Sequence, residues 1–396
     1  MSMLPAWSDS EAQRCRTPLA LRAYTSRLVG SDPALVLHGG GNTSLKLDGR
    51  LYVKGTGANL ADVKERDFTA LDLDALRRRL ADEHLSDAAL MQGIDACKLD
   101  PAAPKPSIET FLHAALPHAW VEHTHADAVL AVVNVARSRE ACAEAFGGLA
   151  PVVPYRHSGA ALARICKRVF EQEAGPTTIG LILAFHGVVA FGNTARESHD
   201  NLQRLVRHAE HYLNRFAPAS ARPAAFEPDM SAAAALRDEA SAVAGFPLAM
   251  SVVCTPQTLA FAQHPDLPVI SQQGPPTPQH AIYTKRVPLI DGNVPRFAAG
   301  YRDYLERTLG PAGRGIDAAP RIMIDPRFGL CALGVNDHYA GIAAEIYLHD
   351  IDIITRACSH GEYRAAGETD IARAELEYGG FERRALAASG LNRTGD

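Results

Sequence analysis

The sequence predicts an α/β protein in two domains. Short apolar runs bounded by glycine turns alternate with stretches of helical period. A strand–turn–strand–helix pattern occurs twice, once in each half. A segment rich in proline and alanine, 218–235, divides the 396 residues, giving domains at 1–217 and 236–396 on either side of a linker. At 47% hydrophobic and 21% charged, the chain can bury a substantial core. Its net charge of -5 disfavours a nucleic-acid partner. No apolar run is long enough to span a bilayer, and residues 1–16 lack a charged start followed by an apolar core, so neither a membrane partner nor a signal segment is expected. Seven cysteines, irregularly spaced and without a Cys-x-x-Cys pair, fit reduced thiols in a cytoplasmic protein.

The elements follow in order. The first thirty or so residues read as helical, anchored by Leu19, Leu21 and Leu28. A β-rich stretch begins at the apolar run Ala34 to His38, which Gly39-Gly40-Gly41 interrupts. Thr43 to Leu47 alternates, Asp48-Gly49 marks a hairpin, and Leu51 to Val53 returns before Gly55-Thr56-Gly57. Helices are expected over Leu73 to Leu80 and over Ser107 to Ala115, the latter capped by Ser107. Trp120 to His125 reads as a strand, Asp127 to Val135 as a helix, Pro151 to Pro154 as a short apolar piece and Leu162 to Glu173 as a helix. Ile179 to Phe185 and Val188 to Phe191 form a strand pair turned by His186-Gly187. A Thr194-x-x-Glu197 capping box then opens a helix with Leu202, Leu205, Ala209, Tyr212 and Leu213 on one face. In the second half, strands are expected at Leu248 to Cys254, Val269 to Ser271, Arg321 to Ile324 and Leu330 to Leu333, with a helix from Tyr339 to Cys358 and a frayed tail after Gly390. His186 to Gly192 and Phe328 to Gly334 share their glycine spacing and each leads into a helix. Two readings are open: the second domain is a degenerate copy of the first, with Phe328 where His186 stands, or the two units share glycines by chance, as strand–turn–strand–helix units often do.

His123-Thr124-His125 carries the chemistry. On a strand, residues i and i+2 face one side, so two imidazoles project together and can chelate one ion; neutral imidazole suits zinc and other late first-row metals. His186 ends a buried strand, where ligands sit in α/β folds. Glu109 lies on the helix just before the His-x-His strand. The two glycine turns, 39–44 and 55–57, offer backbone N–H groups to an anion. Taken singly, each has a plainer reading: Glu109 as a helix N-terminal carboxylate, Asn42 and Thr56 as turn residues, Ser107 as a cap. His113, His199, His208 and His211 read as solvated residues on helix faces. Tyr155, Arg156 and His157 form a polar cluster within reach of a site.

Over about residues 30 to 215 the chain resembles the class II aldolase/adducin family. The resemblance is carried by Gly41-Asn42, Thr56-Gly57, Ser107-Ile108-Glu109, His123-Thr124-His125 and His186-Gly187, in the family's order. More of the chain is similar to the aldolase portion of bifunctional rhamnulose-1-phosphate aldolase/alcohol dehydrogenase proteins, through His38-Gly-Gly-Gly-Asn-Thr-Ser44, Tyr52-Val-Lys-Gly55, Pro106-Ser-Ile-Glu-Thr110 and His123-Thr-His-Ala-Asp-Ala128. Thr277-Pro-Gln-His280 with Thr284-Lys285 and Glu377-Tyr378 extend it more loosely.

The resemblance implies an α/β/α sandwich around a central mixed, largely antiparallel sheet, plus the second α/β domain. It implies a divalent metal on His123, His125 and His186, zinc foremost, with Mn2+, Co2+ or Fe2+ as alternatives. Glu109 would be the proton-transfer group, and Gly41, Asn42, Thr56, Gly57 and Ser107 would hold phosphate. The activity implied is a lyase reaction, cleavage of a ketose 1-phosphate such as rhamnulose 1-phosphate to dihydroxyacetone phosphate and an aldehyde. The alternatives are a sugar-acid decarboxylase, a pentulose-phosphate epimerase, or a non-catalytic adducin-like module. A homo-oligomer with sites near subunit interfaces is also implied. Two departures stand out: Ile108 replaces a second phosphate-binding serine, and Gln279 stands where an acid is expected. No Gly-x-x-x-Gly-x-Gly turn is present, so no NAD is expected.

Overall fold

A computed structural model describes residues 6–216, 226–380 and 384–386. The chain divides into two compact units, one ending at Arg215 and the other running from Phe216, with Asn134–Ala136 belonging to the second.

The first unit is built on seven strands: β1 (Asn42–Leu47), β2 (Arg50–Lys54), β3 (Phe68–Asp72), β4 (Trp120–Thr124), β5 (Val152–Val153), β6 (Gly180–Leu183) and β7 (Gly187–Gly192). Their order in the sheet is β3-β2-β1-β4-β7-β6-β5. Only β5 and β6 run parallel; every other neighbour is antiparallel. Asp48 and Gly49, both at positive φ, make the tight β1–β2 turn, as Asp-Gly favours.

Helices cover both faces. Under one lie Leu73–Ala81, Thr110–Ala115 and Ala160–Glu173, which share a core with Leu51, Val53, Val121, Leu181, Val189 and Phe191 of the sheet. Over the other lie Pro18–Gly30, Asp127–Val133 and Ala195–Asn214. This is an α/β/α sandwich. Thr194 caps the 195–214 helix by accepting from Glu197 N at 3.1 Å, while the Glu197 carboxylate accepts from Asn193 N, one residue earlier than a capping box requires.

The 18–30 helix differs from expectation. Leu19, Leu21 and Leu28 are only half-buried, and the face turned inward carries Arg22, Ala23, Thr25, Ser26 and Val29. Arg22 is fully buried because it meets a partner: its guanidinium lies 2.9 Å from Glu122 on the opposite side of β4 from His123 and over the Trp120 ring. Residues 34–38 form turns rather than a strand.

The second unit holds a three-stranded sheet of β8 (Ala249–Val253), β9 (Ile322–Asp325) and β10 (Gly329–Gly334), ordered β8-β10-β9. Its β9–β10 hairpin pairs Asp325 with Gly329 as the β6–β7 hairpin pairs Leu183 with Gly187. Trp120 pairs with Gly192 in the first unit, and Ala249 with Gly334 in the second. After Gly192 and Gly334 a helix packs so closely that a Cβ would lie 2.7 Å from Ser198 N and 2.3 Å from Ala340 N. β4 leads into the helix Asp127–Val133 and β8 into Pro256–Ala262. In this register Val252, Cys254 and Phe328 stand where His123, His125 and His186 stand.

Two expectations fail here. Residues 267–270 are helical, not a strand, because Pro268 occupies the first turn, where its missing N–H costs nothing. The alanine run assigned to the linker belongs to the helix Met230–Ala244, capped by Asp229; alanine is the best helix former. Residues 217–225 of the expected boundary region, and the tail after Gly390, lie outside the described residues. No helix among the described residues is long and apolar enough to cross a membrane.

Candidate metal centre

Three pieces of backbone bring the histidines together. His123 lies on β4 and pairs with Asn42 of β1 and Val189 of β7. His125 falls just past the strand, its N–H donating to Leu35 O at 3.1 Å, so the 34–38 turns fix the ligand that β4 cannot. His186 sits in the β6–β7 corner, after Phe185 at φ 55°. Gly187 follows at φ 146°, and a Cβ there would lie 2.1 Å from Thr124 O. Only glycine lets the corner close this tightly onto β4.

The ligand atoms of His123, His125 and His186 lie within 4.8 Å of one another. His123 is fully buried, and its Nδ1 donates to Val188 O at 3.0 Å. That leaves the Nε2 lone pair facing the cluster, buried and without a hydrogen-bond partner. Burial pulls the imidazole down to about 4, against the Glu109 charge, so the ring is a neutral donor near pH 7. Glu109 Oε2 stands 3.3 Å from His123 Nε2, and Oε1 stands 3.0 Å from His186 Nε2. Burial pushes the Glu109 carboxyl up, while His123 and His186 in their charged forms, with hydrogen bonds from His186 and Asn42, pull it well below the ordinary carboxylate range. A lone pair directed at a carboxylate is repulsive unless a cation stands between them. Three imidazoles and one carboxylate, in a buried pocket with an orphaned nitrogen, fit a divalent metal, and the Val188 carbonyl orients one ligand as outer partners of metal-bound histidines do.

Glu109 is not inside its helix: it precedes Thr110–Ala115 as the cap residue, and its N–H donates to Ser107 Oγ at 3.3 Å. The helix thus begins three residues later than expected. Asn42 is buried, donating from Nδ2 to Glu109 Oε2 at 2.6 Å and accepting at Oδ1 from His113. Gly41 lies against His123 O. Thr56 and Gly57 are exposed in their turn, and Thr56 Oγ1 donates to Pro106 O. Ser107 is buried, its N–H on Lys54 O.

Sequence reasoning missed four residues. His113 and His199, read as solvated, are buried, because their helix faces turn towards the sheet. Lys54 is buried with its Nζ on Gly39 O at 3.4 Å and Ala58 O at 2.7 Å, so one ammonium ties together the two glycine turns; burial pulls it down to about 8 against the attraction of Glu109. Ser158 Oγ donates to Glu109 Oε1 at 3.2 Å; its signal was its place directly after the polar cluster 155–157.

A mixed, largely antiparallel α/β/α sandwich with three histidines at the ends of its central strands defines the class. The chain belongs to the class II aldolase and adducin family: the N-terminal domain of that family matches residues 20–213, and the second domain of class II aldolases matches residues 227–386. A relative from Bacillus subtilis (strain 168), named "Uncharacterized oxidoreductase YuxG", is 26% identical over 408 residues, covering 92% of this chain and 58% of that protein. This chain therefore spans little more than half of that relative. Among solved structures, the N-terminal class II aldolase domain of a conserved protein from Thermoplasma acidophilum is 33% identical, covering 53% of this chain and 99% of that one, with a TM-score of 0.48. A sugar-phosphate aldolase from Thermotoga maritima is 15% identical, covering 50% and 95%, with a TM-score of 0.37.

Proposed function

We propose that the protein is a zinc-dependent lyase that cleaves a ketose 1-phosphate, such as rhamnulose 1-phosphate, to dihydroxyacetone phosphate and an aldehyde. The observation that carries this reading is the buried, unpartnered Nε2 of His123 beside the Glu109 carboxylate. His123, His125 and His186 hold the metal. When bound it supplies Lewis acidity to the carbonyl and neighbouring hydroxyl oxygens of the substrate. Glu109 moves the proton: as the C3–C4 bond breaks, the C4 hydroxyl proton leaves and C3 takes one up, with no net change. Gly41, Thr56, Gly57 and Ser107, with Lys54 between the turns, hold the phosphate, while Asn42 orients Glu109. The protein acts as a homo-oligomer in the cytoplasm. Residues 1–217 carry the site, and the second unit is a copy without its ligands.

Zinc-loaded protein incubated with ketose 1-phosphates is expected to release dihydroxyacetone phosphate, and in D2O to exchange a C3 proton of added dihydroxyacetone phosphate. Absence of both release and exchange would overturn the aldolase reading in favour of a decarboxylase or epimerase.

A further inference from the structure

His113 is wholly buried one helical turn after Glu109. Its N–H donates to Glu109 O at 3.2 Å, so helix geometry fixes the distance between the two side chains. Across from it, Asn42 and Ser44 lie on β1 two residues apart and therefore on one face of the sheet. His113 Nδ1 is 2.7 Å from Ser44 Oγ, His113 Nε2 meets Asn42 Oδ1, and Asn42 Nδ2 is 2.6 Å from Glu109 Oε2. All four residues are buried, so water does not compete for these bonds.

Each link has a direction, and the directions agree in only one way. An amide presents a donor end and an acceptor end; a neutral imidazole has one of each. The Glu109 carboxylate accepts only, so Asn42 must turn its nitrogen to it; the flipped amide would set oxygen against oxygen. Asn42 Oδ1 then faces His113 Nε2, which must carry the ring proton. Nδ1 is left as the acceptor, and the Ser44 hydroxyl donates to it. Burial holds His113 well below the usual imidazole range, which keeps the ring neutral.

We propose that Ser44 and His113 are positioning residues that lock the Asn42 amide in the orientation that donates to Glu109, holding its carboxylate against His123 and His186. The relay rests on Glu109 as the proton-transfer group. It explains why a histidine occupies a core position of the 110–115 helix, where a leucine would pack without desolvation, and it commits the Asn42 amide to Glu109.

Two readouts test it. In protein labelled with 15N-histidine, two-bond correlations at neutral pH are expected to show His113 as a neutral ring protonated at Nε2. An Nδ1–H ring or an imidazolium would overturn the relay without any variant. The second readout is C3 proton exchange of dihydroxyacetone phosphate in D2O by the zinc-loaded protein. His113→Leu is expected to lower kcat on the order of 100-fold, as misplacement of a reacting group by about an ångström does. The KM should change less than about twofold, because an interaction made only in the transition state is lost. His113→Gln, which offers an amide donor to Asn42 and an amide oxygen to Ser44, should recover most of that loss. A His113→Leu variant with wild-type kcat, or one whose loss His113→Gln fails to recover, would show His113 to be core packing alone. If the wild type exchanges no proton, the aldolase reading falls, and the tautomer still decides the relay.

Discussion

Burying the Lys54 ammonium destabilises the fold at neutral pH, and the size of the effect follows from its site. The ammonium lies 3% exposed at the end of β2, offset by two carbonyl contacts and the more distant Glu109. Its pKa falls from 10.5 to about 8, about 2.5 units, or about 3.4 kcal/mol at 1.36 kcal/mol per unit. The folded state releases its proton more readily than the unfolded one. The penalty is therefore complete below about pH 8, shrinks as the pH rises, and is gone above about pH 10.5. Urea unfolding of wild type and Lys54→Met at about pH 7.5 and about pH 10.5 isolates the residue, because the other lysines titrate in both proteins. The stability difference should move in favour of wild type by up to about 3.4 kcal/mol across that range. A difference constant to within about 0.5 kcal/mol would refute the claim that burial governs this lysine. Inorganic phosphate at about pH 7.5 should stabilise wild type and not Lys54→Met, since an anion between the glycine turns would neutralise the ammonium.

Three further outcomes follow from the same geometry. His123→Ala should reduce bound metal from stoichiometric to trace by elemental analysis, because the strand ligand fixed by Val188 O is lost; equal metal in both proteins would exclude the histidine site. Glu109→Gln should keep its metal yet lower C3 proton exchange by about 10²–10⁴-fold, and exchange at the wild-type rate would remove Glu109 from the chemistry. Arg22→Met should cost about 3–5 kcal/mol in urea unfolding by stranding the buried Glu122 charge, while adding Glu122→Met should restore most of it. A single variant as stable as wild type would mean that the pair at 2.9 Å contributes nothing.

Sequence was informative where the local chain dictates geometry. The Asp48-Gly49 turn and the capping Thr194 follow from backbone preferences, and the structure has both; β1 forms as a strand but does not alternate, since Asn42 to Leu45 are all buried between helices on both faces of the sheet. The set His123, His125, His186 and Glu109 was legible because strand period and chain order bring it together, and the structure closes it to 4.8 Å among the histidines. What escaped were decisions made by distant partners. Arg22 looks like a surface residue until Glu122, one hundred positions away, is seen to pair with it. His113 looks solvated until Asn42 and Ser44 are placed opposite it. Lys54 looks like a strand-end lysine until two turns fold over it. Val269 and Ile270 have β-branched side chains, yet Pro268 in a first helical turn overrides their preference.

The second unit bears on how the metal site is held. Its β9–β10 hairpin keeps the register, the positive-φ glycine after the corner and the tight glycine before the following helix, although Phe328 fills the corner, fully buried, where His186 stands in the first. Val252 and Cys254 likewise stand at the register positions of His123 and His125. A corner that closes without ligands does not need metal to form, and in the first unit hydrogen bonds from protein groups already fix His123 and His125. The site is therefore preorganised, unlike small domains that fold only around zinc. Chelation should leave the far-UV circular dichroism spectrum unchanged and lower stability only by binding linkage, about 4 kcal/mol where free metal exceeds its Kd a thousandfold. Loss of helical signal on chelation would show instead that the metal builds the corner, and that the likeness between the two hairpins says nothing about how His186 is held.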